Sequence, residues 1–318
     1  MGDLADDILS RRLLFVTGKG GVGKSAIAAG LALLGAQQGK RTLACEVDAK
    51  GNLADFFEVV DVGFQPREVQ PRLHVMSMNT EESLKEYLSL QLKLPLVARV
   101  GPLARTFDFI ANAAPGVKEI LTIGKLAYEV RERNYDLVVV DAVATGHIVG
   151  HLRAPQAINE LVSVGLIRDQ TDWMLDLLGD PATTGVVVVT SPEEMPVTES
   201  LELLEALQDT NVDVAAVVVN RVLPELFGRG EEEVFDALRE PALAGALREA
   251  AGDKVDRVLE AAHLAVRLRR TRSRHLARLR EGLDPTLPVF YIPELFTRAD
   301  GLRATNQLAV ALGEEIGY

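Results

Sequence analysis

Short apolar runs recur along the chain, and most of them end at a glycine or a polar residue. Runs of this length, rich in valine and bounded by turn residues, are typical of strands buried on both faces of a parallel sheet. The sequence therefore predicts strands at residues 13–16, 41–47, 73–78, 137–140, 185–190, 212–220 and 288–292.

Longer stretches between these runs carry apolar residues at helical spacing. Strands that alternate with helices predict an α/β fold, with a mostly parallel sheet flanked by helices. No linker or internal repeat is visible, so residues 1–318 are predicted to form a single domain, with a helical subdomain from about 80–133 and 153–180. Helices are predicted at 25–38, 80–112, 115–133, 153–180, 197–207, 235–280 and 301–312.

The first predicted strand runs into a glycine-rich turn with the spacing of a phosphate-binding loop. Gly18, Gly23, Lys24 and Ser25 match the pattern G-x-x-x-x-G-K-[ST], in the strand–loop–helix context that it requires. Glycines let backbone N–H groups surround phosphate oxygens, Lys24 neutralises the outer phosphates, and the Ser25 hydroxyl is placed for Mg²⁺. The predicted nucleotide-binding residues here are Gly18, Lys19, Gly20, Gly21, Val22, Gly23, Lys24, Ser25 and Ala26.

A second lysine, Lys19, lies early in this loop, where one nucleotide does not require it. One interpretation is a solvated loop charge. The other is a cation that reaches the phosphates of a nucleotide held by a facing subunit, as an arginine finger does.

Acidic residues follow two of the predicted strands. Asp48 lies just past a strand, where ligands bind in open α/β sheets, although a helix N-cap explains its position equally well. Asp141 follows four apolar residues and is the expected second acidic element, holding Mg²⁺ directly or through water. The small residues and glycine of 142–147 suit a loop that changes shape with the γ-phosphate.

Composition narrows the function classes. The net charge is -12 and the pI is near 5.0, which argues against nucleic-acid binding by the whole surface. One cysteine, Cys45, excludes an internal disulfide and a cysteine-rich zinc site within one chain. No apolar run reaches the ~18 residues of a membrane span, and the acidic first residues do not resemble a signal peptide, so we predict a cytoplasmic protein.

Two helical stretches leave alternatives open. The stretch 80–133 is more apolar than a surface connection requires, which favours core packing or a dimer face, with a groove for an apolar partner as the alternative. The arginines of 267–280 favour a solvated or intersubunit helix face, with an anionic membrane or nucleic acid as the alternative.

These motifs fall in a known order. The chain resembles the arsenite pump-driving (ArsA-like) ATPase family, which includes the tail-anchored protein targeting ATPases and is related to the MinD/ParA ATPases. Residues 18–25 resemble the deviant loop K-G-G-x-G-K-[ST]. The stretch 48–57 resembles the first switch, D-P-A-H-N-L-x-D-x-F, and 141–147 resembles the second, D-T-A-P-T-G-H. Within the family, the chain is most similar to the shorter actinobacterial anion-transporting ATPases.

The resemblance implies a P-loop ATPase that uses ATP and Mg²⁺. It implies that Asp48 positions or activates the attacking water, and that Lys19 acts across a dimer interface. It also implies that Ser25 and Asp141 serve the metal, and that Asn220 and Pro293 lie at the adenine. The implied switch residues are Asn52, Thr145, Gly146 and His147.

The chain also departs from the family pattern. Residues 49–51 and 142–144 differ from both switch motifs, and the paired-cysteine zinc motif and the arsenite-binding cysteines are absent. Pump-driving members carry two ATPase halves, so a single half implies a homodimer or a heterodimer with a paralogous ATPase, without zinc.

Three functions follow as hypotheses. The first is a dimeric Mg²⁺-dependent ATPase that acts as a conformational switch on a partner or client. The second is a nucleotide-gated carrier of an apolar client such as a membrane protein, which would place the chain at the membrane periphery. The third is a MinD/ParA-type positioning ATPase.

Overall fold

The computed structural model describes residues 6–47, 52–60, 62–92, 116–162, 164–225, 228–238, 240–252, 254–295 and 301–318. The strands are β1 (Leu13–Gly18), β2 (Thr42–Glu46), β3 (Arg67–Gln70), β4 (Leu73–Ser77), β5 (Leu137–Asp141), β6 (Thr184–Thr190), β7 (Val214–Val222) and β8 (Val289–Pro293).

Helices precede, connect and follow these strands in the part of the chain that is described. They are α1 (Asp6–Ser10), α2 (Lys24–Gln37), α3 (Asn52–Phe56), α4 (Thr80–Leu92), α5 (Val117–Arg131), α6 (Thr145–Leu161), α7 (Leu166–Gly179), α8 (Glu194–Gln208), α9 (Arg229–Ala237), α10 (Pro241–Ala251), α11 (Lys254–Gly282) and α12 (Leu302–Ile316).

The strands form one eight-stranded sheet in the order β3-β4-β2-β5-β1-β6-β7-β8. All neighbouring strands pair in parallel except β3 and β4, which are antiparallel. This confirms the predicted α/β fold with a mostly parallel sheet. Because β1 lies between β5 and β6, the loop that follows β1 leaves the middle of the sheet, beside the carboxyl end of β5.

Alternation along β1 divides the core into two layers. Leu14 and Val16 face a cluster that includes α2 and α12, while Leu13 and Phe15 face a cluster that includes α5, α6, α7, α8 and α11. Both faces of the central strands are therefore covered, as parallel sheets require. The predicted single domain is not tested by this packing alone and stays a prediction.

Four helices, α4 to α7, pack against one another on one face of the sheet. They occupy much of the predicted helical subdomain, and residues 93–115 of that prediction lie outside the described residues. The prediction placed the start of the second helical stretch at 153, but α6 begins at Thr145. The apolar pattern is weak in this first turn, which is half exposed, so periodicity alone missed it.

Three further boundaries differ from the predictions. The stretch 235–280 forms parts of three helices, α9 to α11, rather than one, because Pro241 starts a new helix and Gly252 ends it. Strand β7 continues past Asn220 to Val222. The polar strand β3 was missed because Arg67, Glu68 and their neighbours lack the alternation that predicts a strand.

At least four of the eight arginines of α11 contact other parts of the same chain. Arg269 pairs with Glu225, Arg270 with Asp236, and Arg272 lies near both Glu193 and Glu294. Arg280 donates to the Tyr291 hydroxyl at 2.6 Å. These arginines are thus partly paired within the chain, and the solvated or intersubunit helix face stays a prediction, as does the alternative of an anionic membrane or nucleic acid.

Candidate phosphate-binding site

The backbone of the predicted phosphate loop is fixed by close contacts that only glycine tolerates. Gly18 has φ +149°, and a Cβ there would lie 2.1 Å from the carbonyl oxygen of Val189 on β6. Gly23 has φ +95°, and a Cβ there would lie 2.4 Å from the side-chain nitrogen of Asn220. Gly21 also adopts a positive φ, of +88°. Any side chain at Gly18 or Gly23 would therefore displace the strand or the asparagine beside the loop.

Helix α2 begins directly after this loop. Its N-cap, Gly23, makes no side-chain hydrogen bond to the helix, and the first turn contains no acidic residue. Ser25 and Ala26 lie in this first turn, and the helix is buried along most of its length. The first turn of α2 therefore supplies no carboxylate that would compete for its N–H groups, an arrangement that suits a bound phosphate.

The two loop lysines point to different partners. The ammonium of Lys24 donates to the backbone oxygen of Lys19 at 3.2 Å, so it spans the loop where phosphates would lie. The ammonium of Lys19 instead forms an ion pair and hydrogen bond with Glu199 on α8. Both side chains of that pair are 28% exposed, so Lys19 is held at the surface beside the loop.

The predicted metal ligand Asp141 ends β5 and is 6% exposed. It lies in register with Val16 on β1 and with Glu46 on β2. The loop beyond it is attached to β1, because the Thr17 hydroxyl donates to the carbonyl of Val143 at 3.1 Å. A carboxylate is thus fixed beside the phosphate loop, where a metal that bridges nucleotide phosphates would lie.

A second buried carboxylate was missed by the sequence predictions. Glu46 is 1% exposed and is the last residue of β2, beside Asp141 in the sheet. Its position just before Asp48 was the only signal for it in the sequence. Among the described residues no group of three or more ligand-type side chains is gathered in the manner of a protein-only metal site. The side chains placed beside the phosphate loop offer oxygen donors, the Asp141 carboxylate and the Ser25 hydroxyl, and oxygen donors suit Mg²⁺.

Asn220 supports the loop from β7. Its side-chain nitrogen donates to the carbonyl of Val22 at 2.9 Å, and its oxygen accepts from the N–H of Arg221, also at 2.9 Å. Arg221 has φ +60°, and the pairing register of β7 with β8 shifts at this point. Asn220 is therefore a support for the phosphate loop in this structure, and its contact with adenine stays a prediction.

Most of the remaining predicted site residues lie in the described part of the chain, but not all of them. Asp48 and residues 49–51 lie outside the described residues, whereas Asn52 begins α3. Thr145 begins α6, and Gly146 and His147 are exposed in its first turn, so these three belong to a helix and not to the predicted loop. Pro293 is the last residue of β8. Gly20 lies in the loop, and a Cβ added to it would meet no atom within 4 Å.

Two further buried side chains lie near the same end of the sheet. The single cysteine, Cys45, is buried on β2, and burial strongly raises the pKa of its thiol, so it stays protonated and unreactive. His151 is 7% exposed, and its Nδ1 donates to the carbonyl of His147 at 2.9 Å. This bond lies within α6, so it stabilises the helix that follows Asp141.

Comparison with known proteins agrees with this geometry. The sequence model of the anion-transporting ATPase family matches residues 11–174 and 166–237. The chain belongs to this family. The predicted family is thereby confirmed, and the description of this family names its members as ATPases.

Individual relatives carry ATPase names. The ATPase BagA of Mycobacterium tuberculosis is 33% identical over 224 residues, which cover 67% of this chain and 66% of the relative. The match thus spans just under two thirds of that relative's length. A Halobacterium salinarum protein named "Putative arsenical pump-driving ATPase" is 30% identical over 240 residues, covering 68% of this chain and 36% of that protein.

More distant family members come from eukaryotes. The ATPase ASNA1 homolog of Entamoeba dispar is 26% identical over 250 residues, or 66% of this chain and 76% of that protein. Among the described residues of the present family member, every helix is too short or too polar to cross a bilayer.

Proposed function

We propose that the chain is a Mg²⁺-dependent ATPase that hydrolyses ATP as a dimer. The observation that carries the proposal is the geometry of the phosphate loop. Its glycines, Gly18 and Gly23, lie too close to the β6 backbone and to Asn220 for any side chain, and the Lys24 ammonium spans the loop. Backbone N–H groups of residues 19–26 and the Lys24 ammonium bind the phosphates. Family membership supports ATP as the nucleotide.

The metal belongs to the same site in this proposal. When bound, Mg²⁺ neutralises charge that develops on the phosphate oxygens. The Ser25 hydroxyl, in the first turn of α2, is its proposed direct ligand, and the buried Asp141 carboxylate holds it directly or through water. Asp48 orients the attacking water and accepts its proton.

The dimer is proposed from the position of Lys19. Its ammonium pairs with Glu199 beside the loop, while Lys24 spans the loop of the same chain. A second cation from the same chain is therefore unnecessary, which supports the proposal that Lys19 serves a facing chain. Such a cation supplied in trans contributes on the order of 10³-fold or more in rate. The facing chain is a second copy or a paralogous ATPase.

An Asp48→Asn substitution tests the catalytic assignment. Asparagine keeps the shape of the side chain but accepts no proton, so ATP should bind within about threefold of the wild-type affinity, while hydrolysis should fall by about 10²-fold or more. Calorimetric titration with ATP and Mg²⁺ measures binding, and phosphate release measures turnover.

The matched control is Asp209→Asn, at an exposed carboxylate that pairs with Arg153 far from the loop. It should leave both measurements unchanged. Hydrolysis by Asp48→Asn at the wild-type rate would exclude the proposed role of Asp48, and failure of the wild-type chain to bind ATP would exclude the whole proposal.

A further inference from the structure

A cavity of about 280 Å³ lies among the helices α4, α5, α6 and α7. The cavity is partly open to solvent and is not a closed void. Its apolar walls are therefore exposed to water unless a further group covers them. Covering such walls is favourable, so the cavity is a candidate binding site.

The walls of the cavity are mainly apolar and aromatic. Tyr87, Tyr128 and Trp173 supply rings, and Ile120, Leu121 and Met174 supply aliphatic surface. Apolar walls with few polar groups are typical of sites that bind small molecules. The cavity is separate from the phosphate loop, since no residue of the loop is among those that line it.

The charged group at the wall disfavours an anionic ligand. The Lys125 ammonium lies 2.7 Å from a Glu86 carboxylate oxygen and 2.6 Å from a Glu129 oxygen. One ammonium and two carboxylates leave this cluster with a net charge of -1. A ligand carboxylate would meet excess negative charge and a lysine whose bonds are already made.

Other polar groups of the cavity lining are also bonded within the protein. The Trp173 ring nitrogen donates to Gln170 at 2.8 Å, and the Thr171 hydroxyl donates to Asn159 at 2.7 Å. Burial raises the pKa of both Tyr87 and Tyr128, so their hydroxyls stay neutral at physiological pH. These groups therefore offer an uncharged surface to a ligand, and the nearby Arg131 guanidinium is stacked on the Trp173 ring, 4.8 Å from its centroid.

We propose that this cavity binds a compact, uncharged apolar molecule of about two rings. The size follows from volume, since a cavity of about 150 Å³ lined by apolar side chains holds benzene and this one is nearly twice as large. The charge follows from the Lys125 cluster and the bonded polar groups. A small molecule is thus favoured over an acyl chain with a carboxylate.

The cavity also contacts the helix that leads from the phosphate site. Ile158 lines the cavity and belongs to α6, whose first residue, Thr145, follows Asp141 by one short turn. This helix has 17 residues and spans about 25 Å, with Pro155 between its first turn and Ile158. If the proposed ATPase activity is correct, an occupant that shifts α6 alters hydrolysis, and this second effect rests on the proposed function.

Fluorescence titration of the full chain with prodan, an uncharged naphthalene ketone, tests the binding site without nucleotide. We expect one equivalent to bind with a Kd in the micromolar range and a blue-shifted emission. Dansylate is an anionic naphthalene of similar size, and the negative charge of the Lys125 cluster disfavours it. Its Kd should be at least about tenfold higher, which corresponds to about 1.4 kcal/mol of binding free energy.

The decisive variant is Gly124→Leu on α5. A Cβ at Gly124 would lie 3.0 Å from the terminal methyl of Met174, so the leucine side chain fills the cavity after a flexible methionine moves. Prodan affinity should fall at least about tenfold. The control is Gly245→Leu on α10, where a Cβ meets no atom within 4 Å, and this variant should bind prodan as the wild type does.

Leu121→Phe fills the same cavity by a second route and replaces Gly124→Leu should that variant fail to fold. Wild-type prodan affinity in a folded cavity-filling variant would overturn the proposal, as would equal binding of dansylate or no prodan binding at all. Displacement of prodan by an apolar peptide, but by no uncharged small molecule, would also overturn it. Because the titration contains no ATP, a failure here is distinct from a failure of the proposed ATPase.

Discussion

The phosphate loop and the four-helix region α4–α7 lie on the same sheet, but the loop is packed more tightly than the helices. At the loop, a Cβ added to Gly18 would lie 2.1 Å from the backbone of β6. In the four-helix region, a Cβ added to Gly124 would meet only the end of a methionine, at 3.0 Å, beside a cavity of about 280 Å³. The loop therefore has one conformation to offer, while the helices have room for a further group.

This difference separates two tasks. Phosphate chemistry requires N–H groups and cations fixed before the substrate arrives, because reorganisation during the reaction costs rate. Binding of an apolar group requires surface and volume, and side chains such as Met174 adapt to it. The chain thus combines a rigid reacting site with an adaptable helical region.

Two glycine substitutions, one in each region, test the difference in packing most directly. Gly18→Ala should destabilise the fold by about 3 kcal/mol or more, because the new methyl group overlaps a backbone carbonyl that cannot move independently. Gly124→Ala should change the free energy of unfolding by less than about 1 kcal/mol, because alanine favours the helix and the methionine can shift. Urea unfolding measures both. Equal losses in the two variants would show that the regions are packed alike.

A Lys125→Met substitution probes the charged edge of the cavity. Burial lowers the pKa of Lys125, but hydrogen bonds to Glu129 and Glu86 outweigh it, so the pKa is raised above the ordinary value of 10.5. Loss of the lysine leaves two carboxylates together and should cost about 3 kcal/mol of unfolding free energy at pH 7. Urea unfolding measures this cost.

The pH dependence of this cost follows from the sign of the shift. A raised lysine pKa stabilises the folded state fully below the unfolded value, and this stabilisation is lost as pH rises through the folded pKa. The difference between wild type and Lys125→Met should therefore shrink above about pH 10.5. The control Lys85→Met, at a lysine paired with Glu81 and Glu82 at the surface, should change stability little at either pH. A pH-independent difference would contradict the assignment.

The smallest expected effect is on kcat and concerns the ion pair of Lys19 with Glu199 beside the phosphate loop. Glu199→Gln removes the partner that holds Lys19 in the single chain, so the lysine should reach a facing chain more readily and raise kcat up to about fivefold at low protein concentration. A partly exposed ion pair supports no larger change. Phosphate release at several protein concentrations provides the measurement. The control is Glu202→Gln, at an exposed residue of the same helix. An unchanged kcat in Glu199→Gln would show that the Lys19–Glu199 pair does not affect turnover.

Local motifs were predicted well where chemistry restricts the residue type. The loop 18–25 and its flanking strand and helix follow from four residue types at fixed spacing, and β1 and α2 lie within two residues of their predicted bounds. Asp141 was recognised because apolar residues precede it on a buried strand. Such features depend on neighbours in sequence, which a single chain displays.

Features that depend on tertiary packing were not predicted. The contact of Asn220 with Val22 joins residues that are 198 positions apart, and the buried Glu46 acquires its setting from β5. The helical start at Thr145 and the polar strand β3 are held by neighbours rather than by their own pattern. The cavity likewise arises from gaps among four helices, which no local pattern reports.

The edges of the sheet restrict how two chains can associate. Strand β3, at one edge, is only four residues long, is antiparallel to β4, and exposes Arg67 and Glu68. Strand β8, at the other edge, ends in a proline, which has no N–H to donate. Charged, short or proline-ended margins resist extension by a further strand. In the proposed dimer, contact through side chains and loops is therefore favoured over a continuous sheet, and such a contact can open and close while both sheets stay intact.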